Sequence, residues 1–103
     1  MVVKNITRYR EDEDFVVCCF EILNLKKEDI DNELKNIKKT FKKEWIEMLL
    51  VVRNSIKCEL WPSTTNVKKA DIEFAKNNFI NILKKQGYNW GVETIIGDGY
   101  KFA

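Results

Sequence analysis

Acid–base or nucleophilic chemistry in this chain rests on carboxylates and three thiols, because histidine is absent. Its absence removes the side chain that titrates near neutral pH and the commonest metal ligand. Glu44 with Glu47, Asp71 with Glu73, and Glu93 with Asp98 are the close acidic pairs. A working pair needs a shared cleft that separates the two ionisations. These pairs show only surface spacing and read as solvated charge. Cys18 and Cys19 are adjacent and Cys58 stands far off, which is neither a ligand spacing nor a disulfide framework. Cys18 shares a strand face with Val16 and Phe20, and Cys58 with Ile56 and Leu60. The thiols therefore read as small core hydrophobes. Gly97-Asp98-Gly99 lacks the following helix and the Lys-Ser/Thr of a phosphate loop. The expectation is a non-enzyme with no cofactor and no metal.

The basic residues are more informative. Lys and Arg number 18 against 16 acids, a formal charge of +2, so their placement matters more than their excess. KNIKKTFKK puts Lys35, Lys38, Lys39, Lys42 and Lys43 around an apolar stripe with no acid between them. Lys68, Lys69, Lys76, Lys84 and Lys85 form a second set around a later helix. Either set suits phosphate contacts, although lysine-rich helix faces are also ordinary solvated surface. Asn77, Asn78 and Asn81 lie beside Lys84 and Lys85. An asparagine amide pairs with adenine in the major groove, and the plainer reading is hydration on an exposed helix. Tyr88 and Trp90 are able to stack on bases, but their alternation with Val92 favours core packing.

These residues need elements to position them. With 103 residues, 45% of them hydrophobic, and one proline, the chain reads as a single folded domain, 1–103. No segment has the apolar length of a membrane span, and the charged start MVVKNITRYREDED has no signal core. The expected compartment is the cytoplasm, or the host-cell cytoplasm for a viral protein. Val2–Arg10 is mildly apolar and leads into an exposed turn at 11–14, whose four like charges repel. Phe15–Leu23 reads as a strand through Val16, Cys18, Phe20 and Ile22, although Phe15, Cys18, Cys19 and Ile22 also suit a short helix. From Glu28, Ile30, Leu34, Ile37, Phe41, Trp45, Met48 and Val52 recur at helical spacing. Beyond Trp45 the run WIEMLLVV is apolar nearly all round and fits a buried helix or a strand. Ile56–Leu60 alternates as a half-buried strand. Thr65 or Asn66 is a suitable cap for a helix over Val67–Gln86, and Gly87 a suitable left-handed stop. Val92–Ile96 and Tyr100–Phe102 suit a hairpin across the two glycines.

The C-terminal quarter resembles the winged-helix DNA-binding effector domain of two-component response regulators. Ile80, Leu83, Lys84 and Lys85 look like the end of its recognition helix. Thr94, Gly97, Gly99, Tyr100, Lys101 and Phe102 look like its wing, in the same order. The resemblance implies that the Val67–Gln86 helix supplies recognition, with Lys76, Asn77, Asn81, Lys84, Lys85 and Lys101 near DNA. The family's arginines are missing, Asp98 at the wing tip would repel phosphate, and no second helix is legible between Leu60 and Ala70.

Two α+β folds follow. In the favoured one, winged-helix-like, Glu28–Arg53 is largely helical and the chain ends in recognition helix and β-hairpin. In the alternative, a ferredoxin-like α/β sandwich, Trp45–Val52 and Ile56–Leu60 form a hairpin, giving strand, helix, two strands, helix, strand. The functional expectation is a small DNA-binding protein, a transcriptional regulator or a phage-encoded factor, acting on duplex DNA. The alternative is a protein-binding inhibitor or adaptor from a mobile element, directed at a host protein. A homodimer is compatible with both.

Overall fold

Alternation of apolar and polar side chains decides the centre of the sheet. In the computed structural model, which describes residues 1–13, 15–62 and 67–91, the strands are β1 (Val3–Glu11), β2 (Val16–Leu23), β3 (Ile46–Val52), β4 (Ser55–Leu60) and β5 (Asn89–Trp90). The helices are α1 (Lys27–Thr40) and α2 (Lys69–Lys85). Val16, Cys18, Phe20 and Ile22 of β2 are buried while the residues between them are half-exposed. On β4, Ile56, Cys58 and Leu60 are buried. The register sets Cys18 opposite Leu60, Phe20 opposite Cys58 and Ile22 opposite Ile56, so the buried rows form one apolar surface. β1 adds Ile6 opposite Phe20 and, after a bulge between Ile6 and Arg8, Tyr9 opposite Cys18.

The strands lie in the order β3-β4-β2-β1-β5. All neighbours are antiparallel except β1 and β5, which run parallel. β2 and β3 therefore point the same way with β4 between them, so β2-α1-β3 is a split crossover. β4-α2-β5 is a second crossover, spanning β2 and β1. Both helices cover the same sheet face, because Ile37 of α1 and Ala75, Phe79, Ile80 and Leu83 of α2 join one buried cluster with the strand residues above. Aromatic rings bind the layers together. Phe20 meets Tyr88 edge-on at 5.0 Å, Phe41 meets Phe79 at 5.8 Å, and Trp45 meets Phe79 at 5.3 Å.

The two helices form where the stripes predict them. α1 carries Glu28 and Asp29 in its first turn and Lys38 and Lys39 in its last, the charge order that complements the helix dipole. α2 ends in a Schellman arrangement: Gly87 takes φ +87, its N–H donates to Lys84 O at 3.1 Å, and Tyr88 N–H donates to Leu83 O at 3.0 Å. Thr65 and Asn66 are outside the described residues. The N-cap is Lys68 and no side chain caps it, so the expected Thr65 or Asn66 cap is replaced.

The favoured element order needs correction. α1 stops at Thr40; Lys43–Trp45 make one 3-10 turn and Ile46–Val52 is strand, so Glu28–Arg53 is not one helical unit. Apolar residues at 45, 48 and 52 extend the stripe only on paper. Met48, Leu50, Val51 and Val52 are more than 40% exposed, so they face no core that a helix would need. The turn Arg53–Asn54 instead folds β3 onto β4, with Val52 opposite Ser55. The described order is that of the alternative fold with β1 placed in front, and among the described residues the element before α2 is the β3–β4 hairpin. The expected wing and Lys101 lie outside the described residues.

Candidate nucleic-acid interface

Acid-free sequence runs through the C-terminal halves of both helices, from Leu34 to Lys43 and from Phe74 to Gln86. Three hydrogen bonds bring these halves together. Asn36 donates Nδ2–H to Gln86 Oε1 at 3.0 Å. Gln86 donates Nε2–H to Thr40 Oγ1 at 3.2 Å, and that hydroxyl donates to Asn36 O at 2.7 Å. Each amide sits on a flank of its helix that 3.6-residue periodicity turns toward the neighbour. The same periodicity puts Lys39 beside Asn36, and Lys85 beside Ile82 and Gln86, while Lys43 follows α1 in the 3-10 turn. Lys35, Lys39, Lys43 and Lys85 are exposed. The junction thus joins the two predicted lysine sets into one positive surface.

Not every expected residue joins it. Lys38 is exposed but lies on the flank of α1 away from α2. Lys42 is paired with Asp71 at 3.0 Å and sits over the Trp45 ring at 5.2 Å. Lys76 donates from Nζ to the Glu13 carbonyl at 2.9 Å, which ties it to the β1–β2 turn. Tyr9 Oη is 3.1 Å from Lys76 O and 3.0 Å from Glu11 Oε2, holding the same side of α2 against β1. Lys84 shares that flank, two turns further along. Asn77 and Asn81 form the outer crest of α2 and are exposed. Asn81 Nδ2 donates to Asn77 O at 3.1 Å and Asn78 Nδ2 to Phe74 O at 2.8 Å, so two of the three amides bond their own helix. Between the start of β1 and the end of α2 lies an open cleft of about 310 Å³, where Lys4, Asn5, Gln86 and Asn89 supply polar groups.

The cysteines are arranged as expected on the core face, where Cys18 and Cys58 are buried. Burial raises the Cys18 thiol well above its usual range and pushes Cys58 up to about 12. Cys19 lies on the opposite sheet face. Arg8 Nη2 is 3.1 Å from its sulfur and 3.2 Å from Glu59 Oε2. Burial raises the Cys19 thiol and outweighs the guanidinium, which lowers it, so it stays protonated at neutral pH. This cross-strand triad was missed in the sequence, as was the Asn36–Thr40–Gln86 junction. Neither has a signal in the primary order, because each depends on which elements become neighbours.

Among the described residues no three His, Cys, Asp or Glu side chains gather to hold a metal ion. No described helix is long and apolar enough to cross a membrane. No protein-family model, curated protein or solved structure matches the chain.

Proposed function

We propose that this protein is a small, non-catalytic DNA-binding protein whose helical layer holds the phosphate backbone of duplex DNA. The observation that carries this reading is the Asn36–Gln86 hydrogen bond, which joins two acid-free, lysine-rich helix halves. Lys35, Lys39, Lys43 and Lys85 then contact phosphates, and the α2 crest, with Asn77 and Asn81, faces the groove. Lysine supplies point charge that positions the duplex, while base reading falls to Asn77 and to Asn81 once its bond to the Asn77 carbonyl exchanges. A transcriptional regulator or a phage-encoded factor would use such a surface.

Titration with duplex DNA over a salt series tests it. Affinity falls as salt rises, with a log–log slope of about −0.9 for each phosphate neutralised. Lys39→Ala and Lys85→Ala each weaken binding and each reduce the slope by about 1. Lys38→Ala, on the far flank, changes little. Undetectable binding in low salt, or equal losses at Lys38 and Lys39, would defeat the proposal. A second reading, a protein-binding inhibitor or adaptor, draws on one observation, the exposed apolar residues Met48, Leu50 and Val52.

A further inference from the structure

Among the described residues β3 is an outer strand of the sheet, hydrogen-bonded to β4 on one side only. Edge strands of soluble proteins are normally blunted by lysine, proline, bulges or short length. β3 has neither lysine nor proline, and its register shift, between Ile46 and Met48, falls at the start of the strand. That leaves Met48–Val52 as five residues in regular register with β4. Met48, Leu50, Val51 and Val52 are exposed at 41%, 46%, 42% and 44%. The closing pair of a two-residue hairpin, here Val52 and Ser55, exchanges hydrogen bonds across the ladder. Alternation from that pair turns the backbone groups of Leu50 and Val52 toward β4 and those of Leu49 and Val51 outward.

This strand is complementary to itself. We infer that β3 is the interface of a two-fold homodimer, in which β3 strands from two copies pair antiparallel about Leu50. In that register Leu50 faces Leu50 of the second copy, Leu49 faces Val51 and Met48 faces Val52. The outward N–H and C=O groups of Leu49 and Val51 then meet as hydrogen-bonded pairs. The regular stretch is used from end to end. Its flanks, Glu47 and Arg53, fall opposite each other, so each dimer gains two ion pairs of opposite sign. Neither residue has an ion-pair partner among the described residues. The contact is isologous and closes at two copies, forming one continuous sheet of ten strands from two five-stranded sheets. Other registers with the same alternation shift Glu47 away from Arg53 and leave part of Met48–Val52 unpaired. Charge and length therefore select the same centre.

Sedimentation equilibrium of the full chain without nucleic acid tests the dimer separately from DNA binding. The protein is expected to show a monomer–dimer equilibrium, with amide exchange at Leu49 and Val51 slowing as concentration rises. Leu50→Lys sets two like charges face to face and should give a monomer. Leu50→Ser, at a site already exposed, should also weaken the dimer, and circular dichroism of both checks that the fold is retained. Glu47→Arg or Arg53→Glu alone should weaken association, and the double reversal should restore it. A wild-type monomer at every concentration would overturn the inference. So would species larger than two copies, a folded Leu50→Lys protein that stays dimeric, or a double reversal that fails to recover association.

Discussion

Asn36 Nδ2 lies 3.0 Å from Gln86 Oε1, linking the C-terminal turns of α1 and α2 through two amides that are charged at neither end. A neutral bridge has an electrostatic advantage here. It holds lysine-bearing flanks side by side without placing an acid among them, which would cancel the field they share. Thr40 completes the bridge by accepting from Gln86 and donating to the Asn36 carbonyl.

Removing either amide tests how far the helix junction depends on it. Asn36→Ala and Gln86→Ala are each expected to cost about 0.5–1.5 kcal/mol of stability, the usual worth of a part-buried hydrogen bond. The double variant should lose less than the sum, since the bond is lost only once. Urea unfolding of the four proteins gives this cycle. Full additivity would show that the two residues act separately.

Gly87 ends α2 at φ +87, and a Cβ built there meets no atom within 4 Å. The cost of a side chain is therefore conformational and not steric. Gly87→Ala should destabilise by about 1 kcal/mol, and Gly87→Asn by less, because asparagine tolerates the left-handed region. Thermal unfolding compares the two. An alanine variant as stable as wild type would place the Schellman turn outside the determinants of stability.

Alkaline pH should weaken the fold. Cys18, Cys58, Tyr9 and Tyr88 all ionise with more difficulty in the folded chain, each chiefly because burial disfavours its charged form. The Cys58 thiol rises from 9.0 to about 12. A folded-state value above the unfolded one gives stability that is fully present below the unfolded value. It is lost as pH rises through the interval between them, because the unfolded chain releases the proton first. Thiols therefore begin the loss near 9.0, and phenols extend it from 10.0. Urea midpoints between about pH 7 and pH 10 should decline, at up to about 1.4 kcal/mol per pH unit for each group fully ionised in the unfolded state. Constant midpoints across that range would contradict the burial of these groups.

Legibility differed between elements for physical reasons. β2 and β4 have one buried and one open face, so Val16–Ile22 and Ile56–Leu60 alternate and are readable as strands. The stripe from Ile30 to Phe41 is readable because the rest of α1 is polar. Ile46–Val52 was not, because an edge strand that exposes apolar side chains on both faces loses its two-residue period. Helical spacing then ran on by coincidence through Trp45, Met48 and Val52. The lysine sets could be named from sequence, but their union at Asn36 and Gln86 could not, and the same holds for Arg8, Cys19 and Glu59. Such groupings are consequences of strand order and helix placement. Tyr88, read as core, is 1% exposed against Phe20.

The parallel pairing of β1 with β5, through Asn5 with Asn89 and Ile6 with Trp90, has a consequence for biosynthesis. β1 leaves the ribosome ahead of every other described strand, and its β2 partner follows at once. The strand that covers its other side emerges only after α2. Until then the nascent chain presents an unpaired strand margin with Ile6 behind it, held by the local hairpin alone. Closing a loop of this length comes at an entropic penalty that local contacts do not share. The order of synthesis therefore makes β1 with β2 an early unit and the docking of β5 a late one, with the interval between them the period of greatest exposure to aggregation.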